Sequence, residues 1–455
     1  ESMAQRGEEE EGKRKECKES PVDPLSGLAT SIDFSIEIET NTVCQVESGK
    51  GKGGYDSKGE RRASSPLFAI PTTADGGSGP SQPLTQTTEE GGRQKEREAE
   101  REAERAVSKK SVPTAVQKRL EKYKASLQPD VLHLPKLQEM AFFGVPEQEG
   151  TRAMYWKVLL NYLPLKKCYW EDELRKRRKL YSDFVEELVI DPEAAREKSR
   201  SEEIDHPLSS SDNSRWNGYF KDKRMLGEIE KDVRRTFPNL HFFHANPEDG
   251  PTIHYKALRQ ILFIYAKLNP GINYVQGMNE ILGPIYYIFA SDPCREWAEH
   301  AEADAFFCFT NLMSEIMDNF CKSLDKSDIG IRHRIKQYNL LLKRVDPKLW
   351  ENLESKQLSP EFYSFRWLTL LLSQEFELPD VLRLWDSLFA DAGRFKFMLY
   401  VCCAMVKLQR QQIIEESFAE NLKLLQDYPP TDINEILKLA AHLFRTHPPR
   451  HVGLA

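Results

Sequence analysis

Two short strings hold residue types that phosphoryl transfer uses. Ile229-Glu-Lys-Asp232-Val-Arg-Arg235 sets an acid and an arginine three positions apart. Tyr274-Val-Gln276-Gly277-Met278, about forty positions later, sets a glutamine just ahead of an apolar run. That separation is within one domain's reach. Moving a phosphoryl group asks a protein for little covalent chemistry. It needs positive charge against the charge developing on the oxygens, and a group that orients the attacking water. A guanidinium supplies the first, and a carboxamide, which both donates and accepts, supplies the second.

Each residue also has an ordinary reading. An arginine on a helix is most often a solvated face residue, paired at best in a surface salt bridge worth little. Here Ile229 and Val233 fix the buried face, and Asp232 is close enough to hold the Arg235 guanidinium near a helix end. An acid in that place reduces the entropy a long side chain loses on engaging a partner. Pro238 is expected to end the helix carrying Arg235, because it cannot continue the backbone bonding. Gln276 follows a turn at Pro270-Gly271, and Gly277 is expected to start an apolar helix running through Phe289. Gln276 either caps that helix or presents its amide to a water.

The elements that must carry these residues read as helices. From about Thr114, apolar residues recur with helical period: Trp156, Leu159, Leu160 and Leu163; Leu226, Ile229 and Val233; Val381, Leu384, Trp385 and Leu388; Ile433, Ile436, Leu437 and Ala440. Ser359-Pro360 reads as an N-cap followed by Pro at the first helical position. No sustained strand alternation and no fixed-period repeat is visible. Residues 114–455 are therefore expected to be all-helical, with about ten to fifteen helices from mean helix size. Residues 197–218 and Pro247 to Gly250 read as surface loops.

Residues 1–112 have a different texture. Charge runs such as Glu8 to Glu11 and a Gly/Ser/Pro stretch, Ala74 to Pro83, leave few large apolar residues, so a disordered tail is expected. The apolar island Ile32 to Ile38 reads as a chance cluster or a docking segment. Glu96 to Arg105 carries i,i+3 charge pairs and no apolar seam, which suits a solvated helix rather than a coiled coil.

Bulk properties narrow the function classes. A formal net charge of −7 over 455 residues argues against nucleic-acid binding. The longest apolar stretch, Ile281 to Ala290, is interrupted by Gly283 and Pro284 and falls well short of the roughly 20 residues a membrane span takes. Eight cysteines form no CxxC, with Cys402-Cys403, Cys308 and Cys321 in helical patterns, a usage that fits a reducing cytoplasm. His241-Phe-Phe-His244 lacks further ligands at zinc spacing, so no metal site is expected. No GxxxxGK[ST] occurs, and Gly49-Lys50-Gly51-Lys52 has neither the Ser/Thr nor the preceding strand of a phosphate loop. The chain is not expected to bind a nucleotide itself.

Two further strings complete a pattern. Gly144-Val145-Pro146, then Arg152, then Trp156-Lys157-Val158-Leu159-Leu160 reads as a fixed turn followed by a packed helix. Phe365-Arg366-Trp367-Leu-Thr-Leu370-Leu371, then Glu375-Phe376, then Leu384-Trp385-Asp386-Ser387-Leu388-Phe389 is rich in aromatics expected to lie in the core. Together with Ile229…Asp232…Arg235 and Tyr274-Val-Gln276-Gly277-Met278-Asn279-Glu280, in this order, these strings resemble the TBC domain of Rab GTPase-activating proteins. Each string alone is weak; their order carries the resemblance, which covers about residues 137–392 and the C-terminal helices.

The resemblance implies a two-lobed, all-α TBC domain over 137–455, with lobes at about 137–300 and 301–455, after a leading helical segment at 113–136. It implies an activator of a GTPase's own hydrolysis. Arg235 would enter the nucleotide site of a GTP-state Rab, and Gln276 would align the attacking water in place of the Rab's glutamine. Asp232 and Tyr274 would support them. No cofactor of the chain's own is implied: Mg²⁺ and GTP would arrive on the Rab. The alternative is a catalytically silent TBC module that binds a GTPase as effector or scaffold. His451 to Ala455 carries no prenylation cysteine, so a cytoplasmic protein that reaches endomembranes at most through partners is expected.

Overall fold

Local capping chemistry sets many of the helix boundaries. A computed structural model of the chain describes residues 114–189, 215–243, 252–321 and 330–449. Helix α1 (Ala115–Ser126) opens on a capping box: Thr114 Oγ1 accepts from the Gln117 amide, and Gln117 Oε1 accepts from the Thr114 amide. Then follow α2 (Leu134–Phe142), α3 (Thr151–Leu159), α4 (Trp170–Leu188), α5 (Arg215–Val233), α6 (Ile253–Leu268), α7 (Met278–Ala290), α8 (Arg295–Ala298) and α9 (Ala301–Ile316). The remainder holds α10 (Ile331–Val345), α11 (Pro347–Ser355), α12 (Glu361–Thr369), α13 (Leu378–Ala390), α14 (Lys396–Leu408), α15 (Arg410–Glu415), α16 (Phe418–Gln426) and α17 (Ile433–Thr446). Pro sits in the first turn of α2, α11 and α13, where its missing amide has no intrahelical partner to lose.

The fold is all-α, as the periodicity predicts; among the described residues the only β pairing is an isolated bridge, Val131 to Lys166. Among the described residues, seventeen helices exceed the expected ten to fifteen, because pieces as short as Arg295–Ala298 and Arg410–Glu415 vanish into a mean-length estimate. Other boundaries also shift. Asn161, with φ +56°, follows the end of α3, so Leu160 and Leu163 lie past the helix although both remain buried. Helix α12 begins at Glu361, one residue after Pro360, and the Ser359 hydroxyl accepts from its amide at 3.4 Å. Helix α5 starts at Arg215, so the last four residues of the expected loop 197–218 are helical. Cys321 lies beyond the helical turns that follow α9. The tail, Pro247 to Gly250, His244 and the last six residues lie outside the described residues.

Helix α7 is apolar on all sides and lies at the centre, with Ile281, Leu282, Ile285 and Phe289 fully buried. Helix α9 packs against α4, α6 and α7, all of which precede it, so the first bundle runs past residue 300 to Ile316. Helix α13 packs on α2, α3, α7 and α17; α14 packs on α10, α12 and α17. No helix among the described residues is long and apolar enough to cross a membrane.

One buried carboxylate ties the beginning of this domain to its far half. Asp386 on α13 is fully buried. Its oxygens accept from the Val145 amide at 2.8 Å, Trp156 Nε1 at 2.7 Å and Arg152 Nε at 3.3 Å. Arg152 also donates to the Val145 carbonyl at 2.8 Å. Burial pushes the Asp386 carboxyl up, while Arg152 and the amide pull it down. Gly144 has φ +89°, and a Cβ there would meet the Arg383 side chain at 2.8 Å, so the turn before half-buried Pro146 admits only glycine. Trp156 also packs against Trp385 and Phe389, with ring centroids 6.0 and 5.0 Å away.

Trp156→Ala should therefore cost about 5 kcal/mol, combining a large cavity with a carboxylate that has lost a donor. Trp156→Phe, which keeps most of the volume and removes only the N–H, should cost about 2 kcal/mol. Urea unfolding of the three proteins checks both values; a Trp156→Phe protein as stable as wild type would show that the Asp386 bond contributes nothing.

Candidate functional site

Helix α5 ends at Val233, earlier than Pro238 requires, and Arg235 stands on the turn beyond it rather than on the helix. The turn tightens: the Arg235 amide donates to the Asp232 carbonyl at 3.1 Å and the Thr236 amide to the Val233 carbonyl at 3.2 Å. Phe237 then takes φ +45°, which turns the chain away before the proline is reached. Ile229 and Val233 are buried and orient the helix end.

Asp232 is the hinge of the site. Its Oδ1 accepts from Arg235 Nη2 at 2.6 Å, and its Oδ2 accepts from the Tyr274 hydroxyl at 2.6 Å. The Asp232 side chain is 7% exposed and that of Arg235 58%. A buried anchor thus holds one edge of a guanidinium whose remaining donors face solvent. Burial and the hydrogen bond to Asp232 raise the Tyr274 hydroxyl well above its ordinary value, so it stays a donor. Asn279, on the first turn of α7, closes the frame. Its Nδ2 donates to the Thr236 hydroxyl at 3.0 Å, to the Asp232 carbonyl at 3.3 Å and to Glu280 Oε1 at 2.8 Å.

Gln276 is exposed on the turn that enters α7. The cap of that helix is Gly277, with no side-chain cap bond, so Gln276 does not serve as the cap. Among the described residues its amide has no hydrogen-bond partner. Gly277 has φ +102°, and a Cβ there would fall 2.6 Å from Leu370 Cδ2. Two independent constraints therefore demand glycine, and they fix the turn that presents Gln276.

The structure brings Ile229, Asp232, Arg235, Tyr274, Gln276 and Gly277 to one place. It puts Gly144, Pro146, Arg152, Trp156, Trp385 and Asp386 in the separate knot described above. Arg366 lies apart from both, paired with Glu375 at 2.7 and 2.8 Å, and Trp367 is core. Sequence reasoning gives no role to Asn279, Glu280 or Thr236. Two adjacent polar residues opening a wholly apolar helix were the available signal. No group of three or more His, Cys, Asp or Glu among the described residues could hold a metal.

Glu280 has a measurable consequence. It is buried behind the turn, and burial pushes its carboxyl up to about 7, with Asp232 adding to the rise and bonds from Gln374 and Asn279 opposing it. The folded carboxyl is therefore protonated at pH values where the unfolded one is ionised. Stability is full below the ordinary value of 4.5, falls as pH rises to about 7, and is level above. Glu280→Gln should flatten that slope and gain about 2 kcal/mol at pH 8. Urea unfolding from pH 5 to 8 tests this; parallel curves for the two proteins would refute it.

Comparison with known proteins places this arrangement in a family. The family description "Rab-GTPase-TBC domain" matches residues 149–414. The chain is 44% identical over 389 residues to TBC1 domain family member 13 of Homo sapiens, covering 71% of this chain and 97% of that protein. It is 26% identical over 352 residues to the GTPase-activating protein gyp1 of Schizosaccharomyces pombe, covering 73% of this chain and 62% of that protein. The crystal structure of the Ypt/Rab-GAP domain of Gyp1p superposes with a TM-score of 0.59 at 23% identity, over 73% of this chain and 98% of that one, a likeness of fold. Spanning more than half the sequence, the family match shows that this chain belongs to the Rab-GTPase-TBC domain family.

Proposed function

We propose that this protein accelerates GTP hydrolysis by a Rab-type GTPase, with Arg235 and Gln276 entering the partner's nucleotide site in trans. The observation that carries this reading is the division of burial around Asp232: anchor inside, guanidinium outside. An arginine so held approaches the transition-state charge with less of its freedom left to lose. Gln276, on a turn locked by Gly277, orients the water. Tyr274 and Asp232 position these groups and touch no substrate. GTP and Mg²⁺ belong to the partner, and the chain's own residues add only charge and orientation. The family membership and the named relatives support a Rab as partner, and with it a place in membrane traffic; in this reading the protein reaches membranes through other proteins.

Single-turnover hydrolysis across a panel of purified, GTP-loaded Rabs tests the proposal. Wild-type protein should accelerate one or a few of them, and Arg235→Ala should remove most of a gain that arginine fingers set at about 10³–10⁵-fold. Arg235→Lys, which keeps the charge and loses the planar fork, should bind as well as wild type and stimulate about 100-fold less. Gln276→Ala should likewise lose rate rather than binding. Binding with no acceleration would overturn the activator reading in favour of a silent module, and full stimulation by Arg235→Lys would overturn the role of Arg235.

A further inference from the structure

Beyond Arg235 and Gln276, the described surface carries a group of exposed aromatics on neighbouring helices. Phe362 and Phe365, one turn apart on α12, are 51% and 48% exposed, and Phe418 at the start of α16 is 40% exposed. Phe362 and Phe418 meet edge to face, with ring centroids 6.4 Å apart. The same string places Trp367 in the core as the sequence predicts, whereas Phe365 faces water. A single exposed phenylalanine needs no explanation, but a rigid group of three does.

The group is rigid. Gln426 Nε2 donates to the Phe362 carbonyl at 2.9 Å, and Arg366 Nη2 donates to the Gln426 carbonyl at 2.6 Å. Arg366 also grips Glu375, whose side chain is 2% exposed. A capping box of Ser417 and Glu420 fixes the first turn of α16, where Phe418 stands. Aromatic side chains held this way suit an interface, because they contribute area while losing little entropy on binding.

The group is continuous with the finger site. Helix α12 leads directly into Leu370, which packs against Gly277 beneath Gln276. Leu371 and Leu372, at φ +51° and +61°, turn the chain back. Gln374 then bonds Glu280, Glu280 accepts from Asn279, and Asn279 donates to the Asp232 carbonyl behind Arg235. Packing contacts and hydrogen bonds therefore link the end of α12 to the turns that carry Arg235 and Gln276. Along α12, Phe365 lies about 7 Å and Phe362 about 12 Å from Leu370, at 1.5 Å per residue. A protein interface of standard size, about 800 Å² on each side, is roughly 30 Å across. Both distances along α12 are shorter than the radius of such a footprint.

We infer that Phe362, Phe365 and Phe418 form an aromatic ridge that docks the GTP-loaded GTPase. The inference rests on the function proposed above and names a further part of the same contact. The partner surface it takes is an apolar patch beside the nucleotide. The γ-phosphate orders the segments next to the nucleotide in GTPases, so such a patch exists in one form in the GTP state. The ridge acts on encounter and affinity, while Arg235 and Gln276 act on the rate of the bound complex.

The experiment is steady-state stimulation of the responsive Rab by wild type, Phe362→Ala/Phe365→Ala, Phe365→Tyr and Arg235→Ala, each checked for its thermal unfolding midpoint. The double variant should raise KM for the GTP-loaded Rab about tenfold with kcat within about twofold, the pattern of a lost uniform binding contact. Phe365→Tyr should stay near wild type, and Arg235→Ala should show the opposite split, with kcat lost. If the double variant melts early, Phe365→Ser alone carries the same test. An unchanged KM, or a loss confined to kcat, would overturn the ridge while leaving the fingers in place. A wild-type protein that neither stimulates nor binds any GTP-loaded Rab would overturn the proposed function, and with it the occupant named here.

Discussion

The buried Asp386 carboxylate is the constraint on which the rest of the domain depends. It gathers an amide, an indole and a guanidinium from residues 145–156 onto a helix more than two hundred residues further along the chain. A charge with no water around it costs several kcal/mol unless its lone pairs are filled, so the geometry that satisfies them is narrowly defined. Satisfying it places α3 against α13, and both pack on α7. Helix α7 presents the Gln276 turn at its N-terminus. The knot therefore sets the platform for the site without touching it.

A second buried charge cluster grips α3 from the other side. Lys157 is fully buried, with its Nζ 2.9 Å from Asp304 and 3.9 Å from the centre of the Trp297 ring. Arg178 donates to the same carboxylate at 2.9 and 3.0 Å, and the Tyr162 hydroxyl donates to it at 2.6 Å. Asp304 is held below the ordinary carboxylate range by these cations against the pull of burial. Such clusters add little net stability compared with an apolar core, but losing one member costs about 3–5 kcal/mol. Their effect is to permit one register. Helices α3, α4 and α9 can meet here only where all four polar groups are paired.

The Asp232–Arg235 site uses the same principle at the surface. Asp232 is inside, its two oxygens are shared between Arg235 and Tyr274, and the frame is closed by Asn279 and Thr236. A surface ion pair contributes little. This pair differs because its acid cannot relax into solvent, so the arginine has one anchored position rather than many. The exposed aromatics on α12 share that frame through Leu370 and Gln374. The Asp232 anchor and the exposed aromatics on α12 are thus linked through one set of contacts.

The sequence by itself determined the fold class and the family, and singled out Arg235 and Gln276 as the proposed fingers, because these readings depend on local spacing and motif order. Period 3.6 fixed the buried faces of α13 and α17, and the glycine and proline positions fixed the turns at Gly144 and Gly277. Only the tertiary structure decided what those residues do together. Arg235 looked helical, yet it lies on a turn, because the backbone tightens at Val233 before Pro238 can act. Gln276 could have been a cap; Gly277, forced by Leu370 from a distant helix, leaves it free. Phe365 and Trp367 read alike as apolar residues, and two positions of helical rotation put one in solvent and the other in the core. Asn279, Glu280 and Asp386 acquired their roles through partners brought together by folding. One-dimensional periodicity records which face of an element is buried, but it holds no information on which distant group lies against that face.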